Sequence, residues 1–164
     1  MKYIGIDPST KTGLVVLDED GTVLVEKEIT SKVKEDPQRF MDISEQVIKS
    51  VGINELICIE GFSYDSRGRG VSTQYGIGWI IRSDLLRSGS QYIEVSPGGL
   101  KKFASGKGNT KKDELAVHIY KKWGFESKSD DIRDAYVLAR MAMALDDKLD
   151  LTAYQKETLK KVNQ

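Results

Sequence analysis

Two short apolar runs in this chain each end in an acid. Tyr3-Ile4-Gly5-Ile6 stops at Asp7, and Leu56-Ile57-Cys58-Ile59 stops at Glu60. Runs of this length and character are buried strands, so each carboxylate stands at the rim of a core. Two further acids, Asp131 and Asp134, lie three residues apart at the start of an apolar helix and share one of its faces. Strand ends and a helix start can converge on one point. Carboxylates brought together there repel, by ~1 kcal/mol per pair at about 4 Å in water and ~4 kcal/mol at an effective dielectric near 20. Divalent cations relieve that repulsion. Hard ions such as Mg²⁺ take oxygen ligands, and a pair of them ~3.5–4 Å apart forms a phosphodiester-cleaving site.

The elements around these acids alternate in a recognisable order. Lys2 to Asp7 reads as a strand, Gly13 to Leu17 as a second and Thr22 to Ile29 as a third. Asp18-Glu19-Asp20-Gly21 is the hairpin turn between the last two. That acidic turn lacks the spaced ligands and terminal Glu of a calcium loop. Pro37 starts a helix with apolar positions at Phe40, Ile43, Val47, Ile48 and Val51, stopped by Gly52. A strand from Glu55 to Glu60 follows, and the strand–helix–strand order implies a parallel neighbour. Gly61 to Gly70 is loop. Val71 to Arg87 reads as a helix with apolar positions Val71, Tyr75, Trp79, Ile80, Leu85 and Leu86. Its Gly76 and Gly78 cost about 1 kcal/mol each relative to Ala, which close approach of a neighbouring helix would explain. Tyr92 to Val95 is the last strand, and Pro97 starts a short helix to Phe103. After the basic loop Ser105 to Asn109, Thr110 is expected to cap a helix running to Trp123, with Asp113 in a capping-box position. Ser129 caps the helix that carries Asp131 and Asp134. The expected architecture is α/β, a five-stranded mixed sheet of three antiparallel strands with parallel additions, flanked by helices. Residues 1–149 form the domain and 150–164 a peripheral helix or tail.

Several chemistries are excluded by composition. One cysteine permits no internal disulfide, and one cysteine with one histidine cannot complete a four-ligand zinc site. Cys58 lies inside a strand, where a thiol is inert, and His118 sits on a helix beside Lys121 and Lys122. No apolar stretch is long enough to span a bilayer, so a cytoplasmic protein is expected, in a bacterium or encoded by a phage. With 25 basic and 25 acidic residues the net charge is zero. The distribution is uneven. Lys101, Lys102, Lys107, Lys111, Lys112, Lys121, Lys122 and Lys128 crowd one region, and phosphate contacts act within about a Debye length, about 8–10 Å at ordinary salt.

Each motif also has a plain structural reading. Gly5-Ile6-Asp7-Pro8-Ser9 can be an ordinary strand–turn, and sugar kinases, actin-like ATPases and RNase H-like nucleases all open this way. Glu60 can be a strand cap. Acids in a first helical turn favour the helix dipole. Taken together and in this order, Gly-Ile-Asp-Pro-Ser, Ile-Glu after a buried strand, and Asp-x-x-Asp-Ala opening the last core helix resemble the RuvC family of Holliday junction resolvases, over about Lys2 to Leu145.

That resemblance implies an RNase H-like fold. It implies that Asp7, Glu60, Asp131 and Asp134 are catalytic and bind two Mg²⁺, with Mn²⁺ able to substitute, and that hydrolysis leaves a 5′-phosphate and a 3′-hydroxyl. It implies a homodimer acting on a four-way DNA junction, with Val71 to Arg87 as the dimer helix and Gly76, Gly78 and Trp79 suited to a close helix pair. Lys107, Lys111 and Lys112 match the lysines that contact the DNA backbone, and Arg67 and Arg69 are further candidates. The family often places an aromatic three residues after its Glu, to stack on an unpaired base. Here Ser63 has that spacing, flanked by Phe62 and Tyr64, either of which could stack, for ~1–3 kcal/mol per base, or anchor the loop. A broader branched-DNA nuclease, a YqgF-like or RNase H-type nuclease and a non-catalytic junction-binding module are the rivals. A kinase of the actin type needs a second domain that this chain lacks.

Overall fold

The computed structural model describes residues 1–64 and 67–162. In chain order it contains β1 (Tyr3–Asp7), β2 (Thr12–Leu17), β3 (Val23–Ile29), α1 (Gln38–Ile48), β4 (Leu56–Glu60), α2 (Val71–Arg87), β5 (Ile93–Val95), α3 (Pro97–Ser105), α4 (Lys112–Trp123), α5 (Asp130–Leu145) and α6 (Ala153–Val162). The sheet order is β3-β2-β1-β4-β5. β1 pairs antiparallel with β2 and parallel with β4, and β4 pairs parallel with β5. This is the mixed five-stranded sheet expected from the sequence. The expected loop from Gly61 to Gly70 includes positions 65 and 66, which lie outside the described residues, as do the last two positions of the tail.

Both sheet faces are covered, which is why β1 and β2 are apolar almost throughout. Side chains alternate along a strand. Ile4, Ile6, Leu14 and Val16 face α1 and α2, packing on Phe40, Ile43, Val47, Ile77, Ile81 and Leu85. Tyr3, Val15, Leu17 and Cys58 face the other way, against α5 and the helices beside it. Gly5, Asp7 and Glu60 share the parity of that second face. Gly5 lies directly under α5: a Cβ there would stand 1.8 Å from the Ala135 carbonyl oxygen and 2.6 Å from the Ala139 nitrogen. Gly13 makes the same allowance for the first turn of the helix, its Cβ position being 2.0 Å from the Asp131 carbonyl oxygen. Ser129 caps α5 as expected, its hydroxyl accepting from the Ile132 N–H at 3.3 Å.

Two local expectations are corrected. Thr110 does not cap α4; Lys111 holds the cap position with no side-chain bond. The Thr110 side chain is buried instead, bonded to the Ser105 hydroxyl at 2.6 Å and the Lys107 carbonyl at 2.9 Å, where it closes the basic loop. In α2 the buried stripe is Ile77, Ile81 and Leu85 with Gly78 and Arg82. Trp79, read among the apolar positions of this helix, is 57 % exposed, and Leu86 is also exposed. Of the α2 glycines, Gly76 allows the close approach of a neighbouring helix expected from the sequence, here α1, while Gly78 makes room for a loop residue. A Cβ at Gly76 would meet the Phe40 ring at 2.6 Å and one at Gly78 the Phe62 ring at 2.5 Å.

The tail helix α6 lies on α3. The Gln155 amide donates to the Phe103 carbonyl at 3.2 Å, and Leu159 joins the core on the α5 side. Among the described residues no helix is long and apolar enough to cross a membrane.

Candidate metal centre and nucleic-acid interface

β1 and β4 run parallel, so both carboxyl ends open on one side of the sheet. Their last paired residues are Ile6 and Ile59. One step further along this register stand Asp7 and Glu60, on the face covered by α5. The tight seating of α5 over Gly5 and Gly13 brings its first turns to the same place. Carboxylate oxygens of Asp7, Glu60 and Asp134 all lie within 4.8 Å of one another. Asp131, one turn before Asp134, sits at the edge of this group. The Ser9 hydroxyl donates to it at 3.4 Å.

The electrostatics follow from this crowding. Burial is the main force holding Asp7 protonated well above the usual carboxylate range, followed by the charges of Glu60, Asp134 and Asp131. Glu60 is pushed up to about 8 by burial and then by Asp134, with Lys101 acting in the opposite direction. Asp134 is raised to about 6, again first by burial, with Lys112 opposing. Asp131 is also raised, by burial and by Glu28. Four acids held against their own repulsion form a site lacking positive charge at its centre. The donors are all carboxylate oxygens, with no histidine or thiolate among them. That set fits a hard divalent cation and disfavours soft metals.

Basic residues approach from α3 and α4. Lys112, on the first turn of α4, pairs with Asp130 at 2.9 Å and acts electrostatically on Glu60, Asp131 and Asp134. Lys101, on α3, acts on Glu60 and Asp134. Sequence reasoning placed Lys101 in the basic region without assigning it to the site. Only the packing of α3 against α4 and α5 reveals its aim. Lys107 and Lys111 are exposed on the basic loop and just before α4.

The aromatic pair after Glu60 divides its roles. Phe62 packs inward, stacked on Tyr75 with centroids 4.8 Å apart, against Trp79 at 4.9 Å, and over the Arg82 guanidinium at 4.3 Å. Tyr64 is 81 % exposed. Arg69 is exposed as well. Arg67 lines a cavity of about 570 Å³ together with Ser9, Thr10, Arg39, Thr73 and Gln74. Gln74 also borders the cleft at Asp7 and Glu60, so this polar cavity adjoins the carboxylates. Cys58 and His118 play no part. Burial pushes the Cys58 thiol up to about 12, and His118 stands beside Glu114 on the outside of α4.

No protein-family model matches the chain, and no curated protein matches it in sequence. The fold does have solved counterparts. The structure of RuvC from Thermus thermophilus superposes with a TM-score of 0.68 at 20 % identity, covering 93 % of this chain and 100 % of that one. T. thermophilus RuvC in complex with a Holliday junction substrate superposes with the same TM-score at 21 % identity, covering 90 % of this chain and 95 % of that one. With this TM-score and near-complete mutual coverage, the chain has the fold of these RuvC structures.

Proposed function

We propose that the protein is a metal-dependent endonuclease that resolves four-way DNA junctions. The observation that carries this reading is the convergence of Asp7, Glu60 and Asp134 at the carboxyl ends of β1 and β4 under α5, within the RuvC fold. In this reading the three, with Asp131, hold two Mg²⁺, and Mn²⁺ substitutes. Cations so held supply charge neutralisation and Lewis acidity for phosphodiester hydrolysis to 5′-phosphate and 3′-hydroxyl ends.

The chain's own groups do the rest. Ser9 orients Asp131. Lys101 and Lys112 favour the ionised carboxylates and attract the scissile phosphate. Lys107, Lys111, Arg67 and Arg69 neutralise flanking phosphates. Tyr64 is free to stack on an unpaired base, while Phe62 is already committed to the core of the loop. Exposed Trp79 and Leu86 on α2, with exposed Met41 on α1, form an apolar outer face that supports a homodimer.

The test is cleavage of a labelled four-way junction with Mg²⁺, beside linear duplex, a Y-fork and an RNA–DNA hybrid. Paired symmetric nicks on the junction, abolished by EDTA, are expected. Preferential cutting of the fork or the hybrid reassigns the substrate, and activity persisting in EDTA ends the metal mechanism. Lys107→Ala is expected to weaken junction binding and to flatten the plot of log affinity against log salt by about one unit of slope. An unchanged slope reduces Lys107 to a surface charge.

A further inference from the structure

Arg82, in the middle of α2, is only 1 % exposed and is the one buried basic residue among the described residues. A guanidinium is retained in such a place only when its donors are satisfied. Here they reach three different elements. Nε donates to the Glu94 carboxylate of β5 at 2.6 Å, Nη1 to the Gly78 carbonyl of α2 at 3.1 Å, and Nη2 to the Glu60 carbonyl at 2.8 Å. The Phe62 ring covers the guanidinium face, and the Tyr92 ring lies 5.9 Å away. Gly78 makes room for this stack, since a Cβ there would meet the Phe62 ring at 2.5 Å and Arg82 Nη1 at 3.2 Å.

The bond to Glu60 falls at a particular place. The β1–β4 pairing ends at Ile6 and Ile59, and the residue that would next donate to the Glu60 carbonyl from that side is Pro8, which has no N–H. On the β5 side Glu60 is opposite Val95, whose carbonyl accepts from Gly61 at 2.7 Å. Arg82 supplies the remaining constraint, on the carbonyl of the residue whose carboxylate joins Asp7 and Asp134. The same guanidinium seats Phe62, two residues on.

We infer that Arg82 is a positioning residue: its planar fork fixes the end of β4, and so the Glu60 carboxylate, and it sets the start of the loop carrying Phe62 and Tyr64. The inference rests on the nuclease reading above, because only there does the placement of Glu60 matter to chemistry. An ammonium cannot replace the fork, since it is a point charge and offers no flat face to Phe62.

The experiment uses Arg82→Lys, Arg82→Met and Glu94→Gln, with Asp7→Asn as control. Mn²⁺ binding is read by electron paramagnetic resonance without DNA, and kcat and KM are measured on the junction. Both Arg82 variants are expected to bind Mn²⁺ more weakly and to lose ~10–100-fold in kcat, the range seen when a group orienting a metal ligand is removed, with a smaller change in KM. Glu94→Gln alters a half-exposed side chain (45 %), so it keeps the fold. It is expected to show a smaller loss in the same direction. Wild-type Mn²⁺ affinity and kcat in the Arg82 variants, even with a lowered melting temperature, overturn the proposal. If those variants fail to fold, wild-type values in Glu94→Gln overturn it. Cleavage that survives Asp7→Asn takes down the carboxylate metal site and this inference together; cleavage lost there but intact in the Arg82 variants takes down this one alone.

Discussion

Asp7→Asn is expected to reduce junction cleavage by about 10³-fold or more, about 4 kcal/mol of transition-state stabilisation, while junction binding stays intact or tightens. The substitution removes one carboxylate from the point where three oxygens meet within 4.8 Å, and with it part of the repulsion toward phosphate. Equal loss of binding and cleavage would count against a ligand role.

The same variant should be more stable than wild type when metal is chelated. Asp7 is buried, and its charged form is opposed by Glu60, Asp134 and Asp131. An acid whose pKa is raised on folding binds more protons in the folded state than in the unfolded one. Its destabilisation is absent below the ordinary carboxylate pKa and grows as pH rises toward the folded value. For Glu60 that window runs from 4.5 to about 8, and for Asp134 from 3.8 to about 6. Wild type in EDTA should therefore lose melting temperature between about pH 5 and pH 8. Mg²⁺ should restore it, by linkage to the folded state. The dependence should be shallower in Asp7→Asn. A melting temperature that rises across this range would contradict the picture of mutually repelling acids.

Gly5→Ala is the second large effect. The added methyl would meet the Ala135 carbonyl oxygen at 1.8 Å and the Ala139 nitrogen at 2.6 Å. These are backbone atoms of a helix and cannot swing aside. Helix α5 must lift or β1 must bend, at a cost of about 3 kcal/mol or more, the upper end of overpacking. Since α5 carries Asp131 and Asp134, any protein that still folds should also lose cleavage. Gly13→Ala should behave similarly, its Cβ position being 2.0 Å from the Asp131 carbonyl oxygen. Denaturant unfolding and a junction assay check both. Wild-type stability in either variant would show that the helix does not sit on these strands as described.

Most of the fold was legible in the chain because it follows from short-range patterns. Continuous apolar runs produced β1 and β4, Ser129 announced α5, and the strand–helix–strand order implied that β4 joins a parallel neighbour, which the structure shows to be β1. The apolar face of α2 was misread, because Trp79 and Leu86 competed with the Ile77, Ile81, Leu85 stripe and hydrophobicity alone does not choose between them. Thr110 was misassigned because its hydroxyl had two partners in reach, a helix end and the buried loop, and packing decided. What only the tertiary structure settled depends on long-range contact. The β1–β4 register placed Glu60 beside Asp7. The missing side chains of Gly5 and Gly13 let α5 descend until Asp134 met them. Arg82 acquired partners from three elements, and Phe62 turned inward while Tyr64 stayed in solvent. Sequence by itself determined which residues form strands, helices and carboxylate-bearing ends, since these depend on neighbours a few residues away. Which carboxylates meet was decided by residues far apart in the chain, whose distances are set only when the sheet and its covering helices close.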